Sequence, residues 1–479
     1  MDSHRLLGGG TTIVKQVKSP INPGSPICIS AVILAATLVA AFFLAGCSTV
    51  SREPGLGVKP TNTKSPSTPT PTPVPVIEIE TITVEKGRDA GSWEVFGTLK
   101  NISADGLANL EISVSILDLD GAIEAQETIL PALQQLSPGD STAFKAEFSQ
   151  LDTDVRKNDV RVELSSFQLQ TITPLRIAVN QISARPNLKG GTTYLGYFSN
   201  PRQRYGEFRN IEAFIINENG EPIDAADEIV TIASIEPRGR VPFQVEFVTD
   251  HDETWPEFYI DAVPADNPTR ASRLWTVAEP QLFFTSQKVP YYLIEVKNAA
   301  YAPQRFEGML TLTEGIELIG LLPLSSKAPV PAQSSWYFTV EPSLALPIRL
   351  RGNETAIREL TPEVIIDSIA SRGVSDELIS IDLEIGSVET IGGSMYLQGK
   401  ATNPGELDLS FPVVFAALQN PEGKVITANS ELLADSISAG GSTNFTIALW
   451  MPSGIEPNTL EFDINAYAIK VNEATEGGG

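Results

Sequence analysis

Four short stretches of this chain end on an asparagine at nearly equal spacing, and no other feature limits the fold as strongly. They are VFGTLKN, ending at Asn101, YLGYFSN at Asn200, YLIEVKN at Asn298 and LQGKATN at Asn403. Three share Gly-x-x-x-Asn, as Gly97/Asn101, Gly196/Asn200 and Gly399/Asn403; in the third copy Ile294 stands in place of the glycine. A period of roughly one hundred residues is the size of a small domain. Around each copy apolar and polar residues alternate, as in VIEIETITV, LEISVSILDL, FQVEFV and TNFTIALW. Alternation with period two predicts strands that bury one face. The asparagine closes its strand as a residue that tolerates a left-handed backbone or makes an Asx-turn.

The stretch SILDLDGAIEA looks at first like the opening of a calcium loop, because Asp118 and Asp120 alternate before Gly121. The repeat decides otherwise. One fixed offset carries Gly97 to Gly121 in LDLDG, Gly196 to Gly220 in NENG and Gly399 to Gly423 in NPEG. These peptides are expected to be hairpin turns, with Asn/Asp-Gly supplying positive φ. A helix-loop-helix calcium loop needs more oxygen ligands and a glutamate at its twelfth position, which DLDGAIEAQETI lacks.

Further along, a glycine precedes each aromatic strand: Gly139 before Phe144, Gly239 before Phe243 and Gly441 before Phe445, with Trp336 or Phe338 as the aromatic of the third copy. These rings are expected in cores. The fold expected is all-β, tandem immunoglobulin-like β-sandwiches. The boundaries are set at 76–172, 173–270, 271–352 (the divergent unit) and 353–470, with a disordered tail at 471–479. Each unit is expected to fold as a separate bead joined to the next by a short connection. One short helix is expected in ETAIRELTPEVIIDSIASRG, with Thr361 as its cap and Pro362 at its first position.

The N-terminus carries a different signal. Arg5, Lys15 and Lys18 precede a charge-free run from Ile27 to Cys47. A basic leader and an apolar run read as an export signal. The run closes on Leu44, Ala45, Gly46 and Cys47, which resembles a bacterial lipobox. That resemblance implies a diacylglycerol on the Cys47 thiol and cleavage before it, making 1–46 a signal peptide. An uncleaved membrane helix is the other reading of the same run. Both put the rest of the chain on the extracytoplasmic face of the cell membrane. The only other cysteine, Cys28, would leave with the signal, so stability has to come from apolar cores. Residues 47–75 are rich in Pro, Ser and Thr and read as a semi-rigid polyproline II spacer.

With these features in place, the first copy, VFGTLKNISADGLANLEISVSILDLDGAIEAQETILPALQQLSPGDSTAFKAEF, resembles an FxLYD-type domain of envelope lipoproteins. The features matched are Gly-x-x-x-Asn, the strand ending in Asp120-Gly121, and Pro138-Gly139 before an aromatic strand; Leu119 stands where the family often has tyrosine. The resemblance implies a small β-sandwich outside the cytoplasm and implies no catalytic residue.

The formal net charge of -25 argues against binding nucleic acid. After the anchor a single histidine remains, His251, flanked by Asp250, Asp252 and Glu253; a Ser-His-Asp site would have to use it. No phosphate-binding loop, Gly-x-Ser-x-Gly or HExxH occurs, and no pair stands out among 59 acidic residues. No cofactor or metal is expected. The reading is a membrane-anchored, non-catalytic binding or scaffolding lipoprotein with an envelope protein or polysaccharide as partner. The alternative is an accessory subunit or hydrolase acting on cell-wall or extracellular polymer. Aromatics exposed on one sandwich face would favour polymer binding, and carboxylates converging in a cleft would favour hydrolysis.

Overall fold

The alternating runs become antiparallel strands, and these fall into four successive pairs of sheets. A computed structural model describes residues 76–470 apart from 152–153, 173, 251–253, 266–273 and 368–376. The signal, Cys47, the Pro-rich spacer, His251 and the tail lie outside the described residues.

The first sandwich contains β1 (Ile77–Lys86), β2 (Trp93–Asn101), β3 (Leu107–Leu117), β4 (Ile123–Ile129), β5 (Gln135–Leu136), β6 (Ser141–Phe148) and β7 (Val160–Leu169). One sheet has the order β1-β2-β6; in the other, β3 is flanked by β4 and β5 and also pairs with β7. Trp93, Val95 and Leu99 from β2 meet Leu110, Ile112 and Val114 from β3 in the core between them.

The second sandwich contains β8 (Ala178–Pro186), β9 (Thr192–Ser199), β10 (Tyr205–Ile216), β11 (Pro222–Ala225), β12 (Glu228–Val230), β13 (Ser234–Ile235), β14 (Arg240–Phe247) and β15 (Pro256–Ala265). Its sheets are β12-β14-β9-β8, and β11-β10-β13 with β15 on β10. The third is built from β16 (Trp275–Val277), β17 (Gln281–Phe284), β18 (Pro290–Asn298), β19 (Glu307–Glu314), β20 (Glu317–Ser325), β21 (Ser335–Val340) and β22 (Thr361–Ile366). Here β18 is flanked by β16, β17 and β21, facing a β20-β19-β22 sheet. The fourth has β23 (Leu378–Ser380), β24 (Asp382–Ile391), β25 (Ser394–Thr402), β26 (Leu409–Gln419), β27 (Val425–Leu432), β28 (Ser436–Ile437), β29 (Ser442–Trp450) and β30 (Glu461–Lys470). Its sheets are β24-β25-β29, and β23-β30-β26-β27 with β28 on β26.

Two expectations are corrected in the third unit. Residues 361–366 are not helical; Thr361 to Ile366 pair in register with Thr313 to Gly308 of β19. Val364, Ile365 and Ile366 are branched residues that favour a pleated surface, and Pro362 is tolerated because β22 is an edge strand. The helix, α1, is the single turn Glu354–Arg358, capped by the Asn353 side chain, which accepts from the Ala356 N–H. Ile357 of α1 is buried in the third core. The third sandwich therefore runs through β22, past the expected limit at 352.

The four sandwiches belong to one unit, Pro75–Gly479, and consecutive ones are not separate beads. At the first seam Phe96 and Ala143 pack against Phe214 and Tyr259. At the second, Leu195 and Tyr197 meet Leu318. At the third, Val413, Phe415 and Ala417 of β26 join the core of the third sandwich, while Val414, Ala416 and Leu418 of the same strand fill the fourth. A sheet buried on both faces carries continuous apolar runs, such as YYLI in β18 and VVFAAL in β26.

Candidate functional site

The residues that repeat in the sequence act on the backbone. Each strand-ending asparagine is buried, and its amide closes one end of its sandwich. Nδ2 of Asn101 donates to the carbonyls of Asp105 at 2.8 Å and Leu136 at 3.1 Å, while Oδ1 accepts from the Ser103 N–H at 2.9 Å. Asn200 repeats this with Arg204, Glu236 and the Arg202 N–H. Asn403 does so with Leu407, Ile437, Ser438 and the Gly405 N–H. Asn298 keeps the same bonds in the divergent copy, reaching Ala302, Val330, Pro331 and the Ala300 N–H. These are Asx-turns; none of the four asparagines is among the described residues with positive φ.

The glycine four residues earlier leaves room for an aromatic ring. Gly97 pairs with Phe144, Gly196 with Phe243 and Gly399 with Phe445. In the third copy Ile294 pairs with Phe338, so Phe338, rather than Trp336, holds the equivalent place; Trp336 packs on Phe415 at 4.7 Å across the third seam. The neighbouring strand is broken there. β16 pairs with 296–298 and β17 with 290–293, which frees the space beside Ile294.

The hairpin peptides share one hydrogen-bond pattern. Asp118 Oδ1 accepts the N–H groups of Asp120 and Ala122. Asn217 does the same for Asn219 and Glu221, and Asn420 for Glu422 and Lys424. Positive φ belongs only to the glycine of each turn, at 81° for Gly121, 81° for Gly220 and 77° for Gly423. The acidic or amide residue needed is thus the one three places before the glycine. Among the described residues no group of three or more His, Cys, Asp or Glu side chains is placed to hold a metal.

A second alignment also shifts by one residue. The N–H of Asn101 bonds the carbonyl of Asp140, Asn200 that of Gly239, Asn298 that of Ser334 and Asn403 that of Gly441. The position before each has positive φ: Gly139 at 82°, Arg238 at 55°, Gln333 at 59° and Gly440 at 64°. Gly139 therefore matches Arg238 and Gly440, not Gly239 and Gly441.

Exposed aromatics among the described residues are spread along the chain. Phe167, Trp255, Tyr301 and Phe411 are exposed, and each belongs to a different sandwich. Asp250 accepts from the Thr192 hydroxyl at 3.3 Å. Buried and partly buried carboxylates occur instead at the seams. Burial raises Glu212 and Asp261, with Asn210 and Arg209 respectively opposing the shift; both lie on the β10–β15 pair that faces the first sandwich. At the second seam Asp367, buried, accepts from the Ser234 hydroxyl at 2.9 Å and from the Ala233 N–H.

The second seam also holds a hollow of about 210 Å³. A row of residues crosses three strands there, since Thr193 pairs with Arg185 on one side and Glu246 on the other. The β8–β9 turn and the segment between β21 and α1 complete the walls. No sequence motif marked this place, because its residues come from two sandwiches.

No helix among the described residues is long and apolar enough to cross a membrane. No protein-family model matches the chain, and no curated protein matches it. Solved structures do, among them that of red sea bream transglutaminase. The match has 9% sequence identity and a TM-score of 0.14, and covers 75% of this chain and 55% of that chain. At that identity and TM-score the likeness gives this chain neither a fold nor an activity.

Proposed function

We propose that this chain is a membrane-anchored extracytoplasmic lipoprotein acting as a non-catalytic binding or scaffolding module at the cell surface. The observation that carries the reading is the fourfold asparagine clamp. The asparagine kept in all four repeats, including Asn298 in the divergent copy, serves backbone geometry, and the aromatic kept with it is buried core. Surface loops on such a rigid scaffold are where contacts to a partner are presented. The lipobox-like Leu44-Ala45-Gly46-Cys47 supports the anchor, and the likeness of the first repeat to an FxLYD-type domain supports the envelope.

The test has two arms. Cells expressing the full chain or Cys47→Ala are fed a clickable fatty acid. Label on the native chain and none on the variant is expected; equal label overturns the lipid anchor and leaves the uncleaved helix. The second arm cross-links whole cells and recovers the chain from detergent-solubilised envelope. Stoichiometric recovery of an envelope protein or polysaccharide is expected, and recovery of the chain alone overturns the scaffold.

A further inference from the structure

The hollow at the second seam is cationic in a strongly acidic protein. Arg185, Lys189 and Arg351 line it, with Glu246 as the one carboxylate. Lys189 bridges to Glu246 at 3.4 Å, and among the described residues neither arginine makes an ion pair of its own, although the charge of Glu246 reaches Arg185. Arg185 gives hydrogens to the carbonyls of Ile319 at 2.6 Å and Ala345 at 2.8 Å. Arg351 gives hydrogens to the carbonyls of Leu346 and Leu344. Carbonyl oxygens fix the two guanidinium groups without neutralising them, and each group has five donors. Burial, with the charge of Arg351 adding to it and that of Glu246 opposing it, pushes Arg185 down to about 10, so it stays charged at neutral pH.

The lining is polar inside and aliphatic at its mouth. Gln244 lines the hollow, and its buried Oε1 has no donor. Exchanging its amide atoms does not cure this, because Nε2 already donates to Glu246 Oε1 at 3.1 Å and an oxygen there would face a carboxylate. Around the mouth stand Leu188, Leu344 and Ile348, exposed by 60%, 76% and 66%. The rim is aliphatic rather than aromatic, which suits leucine-like side chains better than sugar rings.

We infer that this hollow binds a peptide segment carrying a carboxylate beside aliphatic side chains. The carboxylate takes the Arg185 and Arg351 donors, whose planar forks match it in a bidentate way. The side chains of the peptide cover Leu188, Leu344 and Ile348. The carboxylate comes from a chain end or from an Asp or Glu side chain. This deepens the binding reading and rests on it, but not on the anchor.

The test uses the full chain in detergent and three dye-labelled peptides: Gly-Ala-Leu-Leu as the free acid, the same sequence as the C-terminal amide, and Gly-Leu-Glu-Leu amide. Fluorescence anisotropy is expected to show the free acid binding at least tenfold tighter than its amide. If the Glu peptide amide binds as tightly as the free acid, the proposal stands with a side-chain carboxylate as source. Arg351→Gln should weaken the best peptide at least fivefold. Leu344→Ser should weaken it severalfold, and because Leu344 is exposed this variant keeps the seam if Arg351→Gln loosens it. Equal affinity for all three peptides overturns the proposal, as does an affinity within twofold of native in both variants. Binding of short-chain phosphatidylglycerol but of no peptide overturns it in favour of a lipid headgroup. Peptide binding by full-length Cys47→Ala keeps it even where lipidation fails.

Discussion

Gly97 lies directly across the sheet from Phe144, and a Cβ on the glycine would stand 2.4 Å from the ring. The same close approach occurs at Gly399, 2.6 Å from Phe445 and 2.4 Å from the Glu384 carbonyl oxygen. Because backbone as well as ring is in the way, Gly97→Ala and Gly399→Ala should each destabilise by about 1–3 kcal/mol. At the matching place in the third sandwich the sign of the size change reverses. Ile294 is buried, so Ile294→Ala should cost about 2–4 kcal/mol through the cavity it leaves. Urea midpoints for the three variants check both halves; a neutral Gly97→Ala would mean the ring can move aside.

The asparagine clamp predicts a larger effect than one hydrogen bond. Asn298→Ala leaves three carbonyls, of Ala302, Val330 and Pro331, without their shared donor. Val330 keeps the Gln304 N–H and Pro331 keeps Ser334, so the groups left without a partner are the Ala302 carbonyl and the Ala300 N–H. An unsatisfied buried group costs about 1–3 kcal/mol, and a loss in that range is expected. Asn298→Asp should be worse than Ala, because it aims a buried negative charge at carbonyl oxygens. Thermal melts of the two variants give the order directly, and Ala below Asp would contradict the donor role.

The hairpin at Gly121 separates a turn from a metal site by a single substitution. Asp118 does in the first sandwich what Asn217 and Asn420 do in the second and fourth. Asp118→Asn should therefore leave stability within about 0.5 kcal/mol, and millimolar calcium should not raise the melting temperature of either protein. A calcium site saturated a hundredfold over Kd would add about 2.7 kcal/mol and would be lost in the variant. The separate turn before β14 predicts that Arg238→Gly is stabilising by about 0.5–1 kcal/mol, since Arg238 holds φ at 55° where the first and fourth copies have Gly139 and Gly440.

Much of this was legible before any coordinates. Alternation marked the strands, the asparagine period marked the four sandwiches, and the glycine offset marked three hairpins. Two kinds of feature were not. Residues 361–366 read as a helix start because Thr-Pro is a good cap, although Val364 to Ile366 favour a strand once β19 offers an open edge. The seams were hidden because alternation describes only one buried face. Their signal was a failure of alternation, in YYLI and VVFAAL, where both faces are covered. The hollow with Arg185 and Arg351 had no local signal at all, since its two charges meet only when the second and third sandwiches dock.

The first seam predicts a pH dependence. Burial raises Glu212 and Asp261 in the folded chain, so the folded state holds their protons more tightly than the unfolded state does. Stability then rises as pH falls from neutral through their raised values, and the gain is complete below the ordinary carboxylate range. Glu212→Gln should raise the urea midpoint at pH 7.5 and flatten its change between pH 7.5 and 5. A variant as steep as the native chain would mean that other groups carry the dependence.

The third seam predicts which sandwiches unfold together. Phe415 is 5% exposed and packs on Trp336 of the third sandwich although it belongs to β26 of the fourth. Tyr291 of β18 reaches across to the Ile426 carbonyl at 3.1 Å. One apolar cluster spans both sandwiches here, whereas the first seam is a small cluster around Phe96 and Phe214. Phe415→Ala should cost about 3–5 kcal/mol. The loss should appear in both partners at once, because removing the ring opens the core that they share. Hydrogen exchange read peptide by peptide decides the point. Amides of β18 and β21 should lose protection in step with those of β26 and β27, while β2 and β6 of the first sandwich keep theirs. If only the fourth sandwich responds, the seam is a contact between independent domains rather than a common core.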